Sequence, residues 1–519
     1  MVLTSPSGQT DVTTPGRSRR CAEVIIVGAG LSGIAAAVRL REAGISDLLI
    51  MEKSQRVGGT WRENTYPGCV ADIPSAVYSF TFEPNPQWTR LFPGQAEILR
   101  YIERTVTKYA LADLLWTDTE LLHARWLPQQ LRWELTTNDG QFSARHVIFA
   151  TGVLDEPHVP DIPGLAEFPG HAFHSARWNH GVELAGKRIA VVGTGSSAAQ
   201  MIPELQRLAG KLYVFQRTPS WVIPRPDFGM PISLRRVMAR SRFVRWYVRW
   251  IFGLPLVLTA FVVRDARLAR AITPLFRWIL RRQVPDPVLC ARLIPDYTLG
   301  CKRLILSNDY YAALGADNVE LLPHALSEVR GRSAVAANGS QRDVDVIVFG
   351  SGFELRHPPI ADRIRGRDGR LLSEIWDVDS PRAYRGTTVP NIPNAYFLLG
   401  PNMVTYNSLL RLAEWQTSYI IGAIRTAEER DIEVLEVRPD VFSEFNRRLT
   451  RDIASSAYNK GGCQSYYLDE NGRNFLAYPW SARTMRRSLR RFDIENYWTP
   501  RRLADRNARC AQPVDNHAS

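Results

Sequence analysis

Three features of this 519-residue sequence predict an α/β fold. An apolar run, a glycine-rich turn and a helical pattern follow one another at residues 22–43 and again at 188–208. Each copy leads into a further apolar run, at 48–51 and 212–216, which completes a βαβ unit. A charged residue stands 24 positions after the first glycine of each turn, acidic in one copy and basic in the other.

In the first copy, residues 22–27 read as a parallel strand buried on both faces. Gly28-Ala29-Gly30-Leu31-Ser32-Gly33 then fits G-x-G-x-x-G. Gly28 permits the tight turn, Gly30 lets a pyrophosphate approach the backbone, and Gly33 lets helix and strand pack closely. The helix that follows offers N–H groups and a partial positive charge to phosphates. Glu52 can accept hydrogen bonds from a ribose 2′-OH and would repel a 2′-phosphate, so this site suits FAD or NAD.

The second copy, Gly193-Thr194-Gly195-Ser196-Ser197-Ala198, is the variant with a final alanine. At the matched offset stands Arg217, next to Thr218, and a guanidinium there suits the 2′-phosphate of NADPH. Together the two units predict two Rossmann-like dinucleotide-binding domains, for FAD and NADP, with electrons passing from NADPH to a flavin. A disulfide reductase would need a cysteine pair near the first turn. Only Cys69 is near, which leaves O2 as the acceptor.

Between residues 225 and 300 the pattern becomes helical and rich in Arg, Trp and Leu, above all over 235–282. The nearly all-apolar stretch 250–263 is shorter than a bilayer span and contains Pro255. Two readings are open: a helical insertion packed on the second nucleotide-binding domain, or a helix in weak contact with a membrane surface. Strands are expected again after residue 310, at 344–349 and 396–399, and a helix at 408–426.

Composition narrows the class. Length suits roughly three domains. A net charge of +13 matches the positive potential needed to bind two anionic dinucleotides, and no nucleic-acid partner is invoked. Cys21, Cys69, Cys290, Cys301, Cys463 and Cys510 are scattered, without C-x-x-C or zinc-site spacing. Free thiols in a reducing, cytoplasmic compartment and no metal site are therefore expected. Residues 1–20 lack an apolar signal core and, like 501–519, are expected to form disordered tails.

Phe168-Pro169-Gly170-His171-Ala172-Phe173-His174-Ser175-Ala176-Arg177-Trp178 precedes the second unit and matches F-x-G-x-x-x-H-x-x-x-W. In this the sequence resembles the type I Baeyer–Villiger monooxygenases, class B flavoprotein monooxygenases, from about residue 23 to about 497. The motif usually closes with Pro or Asp, where this chain has Asn179. Related flavin monooxygenases that oxidise amines or sulfides place Tyr or Phe where Trp178 stands, so Trp178 favours ketone oxidation and Asn179 leaves N- or S-oxygenation as the alternative reading. The resemblance implies that a C4a-peroxyflavin formed from O2 attacks a small ketone, giving an ester or lactone.

It also implies roles for residues. Gly58-Gly59-Thr60-Trp61 is similar to the flavin-contacting loop, and 66–72 and Tyr78-Ser79-Phe80 to the segments after it. Ala150-Thr151-Gly152 and Gly350-Ser351-Gly352-Phe353 resemble the two interdomain crossings. Lys302-Arg303 resembles the catalytic basic pair: Arg303 would be the fixed cation facing the oxidant, Asp72 its orienting carboxylate, and Lys302 a contact of the 2′-phosphate with Arg217 and Thr218. Gln200 joins Thr194, Ser196 and Ser197 as an NADP-binding candidate. His174 is expected to couple nucleotide binding to domain movement or to be structural, since the chemistry needs no general base there. Gly400-Pro401-Asn402 with the 408–426 helix resembles the segment closing over the flavin. Tyr466 stands near the place where relatives carry a tryptophan, and the ketone pocket is expected from 404–410 and 455–485. The implied order is FAD-binding domain at 21–160 and 381–500, NADP-binding domain at 161–224 and 301–380, and insertion at 225–300.

Overall fold

The computed structural model describes residues 20–377 and 380–500. Both expected tails lie outside them, except Arg20. The first βαβ unit forms as strand Cys21–Val27, helix Leu31–Glu42 and strand Leu48–Met51. Its apolar strands are buried because they lie inside an eight-stranded sheet. Strand Gly140–Phe149 pairs parallel to the first strand, with Val27 opposite both Met51 and Phe149. The three strands therefore end together, and the loops after them meet at one edge. An antiparallel extension through Arg132–Thr137 and Leu121–Leu127 completes that side.

The second unit is a separate five-stranded parallel sheet. Its order is Val319–Leu322, Lys211–Phe215, Arg188–Val192, Val346–Phe349 and His171–His174. Helix Ser196–Leu208 follows the glycine turn and packs on this sheet through Met201, Ile202 and Leu205.

Three expectations change. Strand Ile364–Arg365 pairs with Ala124 and Arg125 of the first sheet, so the chain leaves the second unit before residue 380. The cause is local: Ile364, Leu372 and Trp376 bury their apolar surface in the core of the first unit. Secondly, Pro255 does not interrupt the apolar stretch. It sits inside one continuous 22-residue helix, Arg242–Val263, whose first turns are arginine-rich and so concealed its length. Among the described residues this is a helix long and apolar enough to cross a bilayer by length and composition. Thirdly, the thiols are not all free. Cys301 and Cys463 form a disulfide with Cα atoms 6.1 Å apart, and Cys21 is also disulfide-bonded. Pairing across 162 residues leaves no spacing signal in a sequence.

The insertion is not packed on the second unit alone. Leu280, Val284 and Leu293 join the core of that unit, whereas Val248 packs with Leu91, Phe92 and Met230 beside the first.

Candidate active site

Both glycine turns open onto one cavity of about 950 Å³, which also reaches Asp72, Arg303 and Tyr466. At each turn the backbone approach explains the glycine. Gly28 has φ +107°, and a Cβ there would lie 2.6 Å from the Ala150 carbonyl oxygen. Gly193 has φ +118° and would clash at 2.5 Å with the Gly350 carbonyl. Each turn is thus pressed against one of the two crossing segments, Gly28 against 150–152 and Gly193 against 350–353. Removing a side chain at these points leaves the cradle in which a pyrophosphate meets backbone N–H groups.

Glu52 ends the second strand beneath the first cradle. It accepts hydrogen bonds from Ala29 N at 2.9 Å and Ser54 N at 3.1 Å, and from Arg62 Nη1 at 3.1 Å. These fix a buried carboxylate on the cavity wall, where a ribose hydroxyl can donate to it. Thr60 and Trp61 begin the short helix Thr60–Glu63 on the same wall. Trp61 Nε1 donates to Tyr78 Oη at 2.8 Å, which joins two of the expected flavin-contacting positions.

In the second cradle Thr194, Gly195, Ser196 and Ser197 line the cavity, with Arg217 and Thr218 beyond them. Thr194 Oγ1 donates to the Thr218 carbonyl at 2.8 Å. Burial, and then the charge of Arg217, lower the pKa of Lys302. Two cations held this close suit a bound anion such as a 2′-phosphate. Gln200 lines the same cavity and also bridges to the first unit. Its amide oxygen accepts from Tyr66 Oη at 2.8 Å and its amide nitrogen donates to the Val70 carbonyl at 3.0 Å, tying the second-unit helix to the 66–72 segment.

Arg303 sits where the two cradles meet. Its Nε donates to Oδ2 of Asp72 at 2.8 Å, and its Nη2 lies 2.7 Å from the same oxygen in an ion pair. The neighbouring carboxylate raises the guanidinium pKa far above its ordinary value, despite burial, so the charge is permanent. Both side chains keep about a quarter to a third of their surface open, at 27% and 32%, on the cavity wall. Tyr406, Tyr466 and Tyr467 surround Arg303, and burial pushes each phenol above its ordinary range. They remain neutral hydroxyls.

None of Phe168, Gly170, His174 and Trp178 lines the cavity. Phe168 is buried with Val329 and Ile347, Trp178 meets Phe173 edge-on at 5.1 Å, and a Cβ at Gly170 would meet the Asp345 carbonyl at 2.3 Å. His174 ends an edge strand opposite Phe349 and accepts from Ala176 N at 3.1 Å. Burial pushes its pKa down to about 4, so it is neutral near pH 7. Beside it the two crossings are bonded together: His158 N donates to the Gly352 carbonyl and Glu354 N to the Glu156 carbonyl, both at 2.9 Å. The motif thus packs beside the two bonded crossings and outside the cavity.

Gly400, Pro401 and the first turn of helix Leu409–Glu429 close another side of the cavity. Sequence reasoning missed the Cys301–Cys463 disulfide, which ties the Arg303 segment to the loop bearing Tyr466, and it reached Tyr406 only as part of the expected 404–410 segment. The position of Cys301 next to Lys302-Arg303 was the available signal. The pKa of Cys69, pushed up to about 12 by burial, leaves it no thiolate for dithiol chemistry.

Known proteins agree with this geometry. The family model for pyridine nucleotide-disulphide oxidoreductase matches residues 25–240, spanning both glycine turns. A Baeyer–Villiger monooxygenase of Streptomyces coelicolor is 42% identical over 479 residues, covering 91% of this chain and 92% of the relative. One from Pseudomonas aeruginosa is 39% identical over 490 residues, covering 93% and 92%. The crystal structure of OTEMO in complex with FAD and NADP superposes with a TM-score of 0.83 at 25% identity, over 92% of this chain and 99% of that one. Identity at this level across nine-tenths of its length means that the chain belongs to the Baeyer–Villiger monooxygenase family.

Proposed function

We propose that the protein binds FAD and NADPH and uses O2 to insert one oxygen atom next to the carbonyl of a small ketone, giving an ester or lactone. One NADPH, one proton, one O2 and one ketone give NADP+, water and one ester. Bound flavin supplies the hydride acceptor and the centre that activates O2. The observation that carries the reading is the convergence, in one cavity, of two dinucleotide cradles of opposite charge preference and the Arg303–Asp72 pair.

The chain's own residues then have these tasks. Gly28 and Gly30 admit the flavin pyrophosphate, Gly33 lets the helix pack against the turn behind it, Glu52 holds the ribose, and Thr60, Trp61 and Tyr78 flank the ring end. Gly193, Gly195, Ser196 and Ser197 admit the second pyrophosphate, while Arg217, Thr218 and Lys302 select the 2′-phosphate. Arg303 stabilises negative charge on the oxidant and on the oxyanion formed from the ketone. Asp72 positions that guanidinium through Oδ2. A permanent cation at this point favours an anionic oxidant, and so carbonyl attack over sulfur oxidation. Gln200 lines the second cradle's part of the cavity and also positions the 66–72 segment.

The flavin-binding domain is built on the first sheet and the NADP-binding domain on the five-stranded sheet ending at Phe349. A cytoplasmic location accords with NADPH consumption.

The test is incubation of purified protein with NADPH, 18O2 and a panel of linear, cyclic and aryl ketones plus one sulfide, with products read by mass spectrometry. A flavin spectrum and an ester carrying one 18O are expected. Sulfoxide without any ester would overturn the reading in favour of S-oxygenation.

A further inference from the structure

The helix Arg242–Val263 carries a bare apolar stripe. Phe243, Trp246, Trp250, Leu254, Val257 and Phe261 recur every three or four residues, so they share one face, and they are 43–71% exposed. The next helix, Ala266–Gln283, adds exposed Leu275 and Trp278. Few water-facing surfaces leave an apolar patch of this kind uncovered.

The charge around the stripe is one-sided. Residues 228–285 contain twelve arginines and one acid, Asp265, which is used to cap the helix Ala266–Gln283. Beyond the insertion, half-buried Arg249 lies near half-buried Arg411, and Arg411 near exposed Arg486. Arg483, Arg486, Arg487 and Arg490 then line a surface hollow of about 210 Å³.

We propose that this face docks on an anionic lipid bilayer, with the helix in the headgroup layer and its aromatic stripe directed toward the acyl chains. The helix lies on the membrane and does not cross it, because protein backs it along its length. Val248 is buried against Phe92 and Met238, Gly253 rests on Val77, and Val263 is buried with Ile453 and Ala457. A spanning helix would need its whole circumference in lipid or protein at membrane depth, with its ends on opposite sides. A second copy of this chain fits the face poorly. A two-fold contact would set the same arginine-rich rim against itself with a single acid per copy to pair. Anionic headgroups supply the missing charge, while Trp and Arg are the side chains that seat at a headgroup boundary.

The docked layer is adjacent to the cavity. Val77 precedes Tyr78 on the cavity wall, and Val263 fills the space left by Gly300, three residues before Arg303. Docking itself does not depend on the reaction proposed above.

The experiment is flotation of the full-length, flavin-loaded protein with vesicles of phosphatidylcholine, with and without phosphatidylglycerol, at low and high salt. The protein should float with the phosphatidylglycerol vesicles at low salt and be released by high salt. Trp246→Ser/Trp250→Ser/Phe261→Ser should lower the bound fraction about tenfold or more while flavin content is unchanged. Arg236→Glu/Arg240→Glu/Arg242→Glu should abolish the preference for phosphatidylglycerol and serves as a second, independent variant. Parent protein that stays unbound at low salt would overturn the proposal, as would equal flotation of both variants. A dimer broken by the aromatic substitutions, without vesicle binding, would assign the face to a second copy instead.

Discussion

Arg303 reaches Asp72 through two nitrogens of one rigid plane, and a lysine ammonium has no such fork. Arg303→Ala should abolish ester formation while NADPH still reduces the flavin, and Arg303→Lys should recover little. Asp72→Asn keeps a polar partner but loses the charge that holds the guanidinium, so kcat should fall about a hundredfold or more. Rapid-mixing absorbance separates the reductive step from product formation in each variant, and wild-type ester yield from Arg303→Ala would end the assignment. Arg217→Ala should raise KM for NADPH about tenfold or more and change KM for NADH little, since NADH has no 2′-phosphate. His174 makes a different prediction. Its folded pKa of about 4 lies below the ordinary 6.5, so between those values the unfolded chain binds a proton that the folded chain does not. Stability must then fall as pH drops from 6.5 to 4, by about 3 kcal/mol in all. Buried His146 is shifted in the same direction, so thermal melts of His174→Gln should show a shallower acid slope but not a flat one.

At the scale of elements, the two strand–turn–helix cradles are separable by mutation. A Cβ at Gly193 meets the Gly350 carbonyl and requires a φ that alanine rarely adopts. Gly193→Ala should yield a protein that retains its flavin, is reduced by dithionite, and is no longer reduced by NADPH. Gly33→Ala should do the reverse damage, because its Cβ would lie 1.9 Å from the Gly28 carbonyl and force helix and strand apart. Loss of the visible flavin spectrum measures it. These elements were legible in sequence because each is local: strand 48–51 and strand 188–192 fall where the apolar runs placed them. The insertion was less legible. Arginine-rich turns hid the start of the helix at Arg242, and periodicity alone could not say which face would stay uncovered.

Over the whole molecule, the Cys301–Cys463 disulfide closes a loop of 162 residues and links the Arg303 segment to the tyrosine loop. Constraining so long a loop stabilises the fold by up to about 5 kcal/mol in the chain-entropy account. Cys463→Ser should therefore lower Tm by several degrees and raise KM for the ketone, and reductant should lower the Tm of the parent protein by more than that of the variant. An unchanged Tm in Cys463→Ser would show that the bridge contributes nothing to the fold.

What the sequence determined by itself was whatever depends on neighbours along the chain. The two glycine turns, the opposite charges at Glu52 and Arg217, and the motif ending at Trp178 needed no third dimension. Tertiary structure decided what depends on residues meeting from far apart. It brought Asp72 to Arg303 across 231 positions and paired Cys301 with Cys463. It returned Ile364 to the first sheet, tied Gln200 to Tyr66 and Val70, and placed His174 outside the cavity. The physical reason is that strand, turn and cap preferences act over a few residues, whereas burial and long-range pairing are settled only when the two sheets and the insertion pack together.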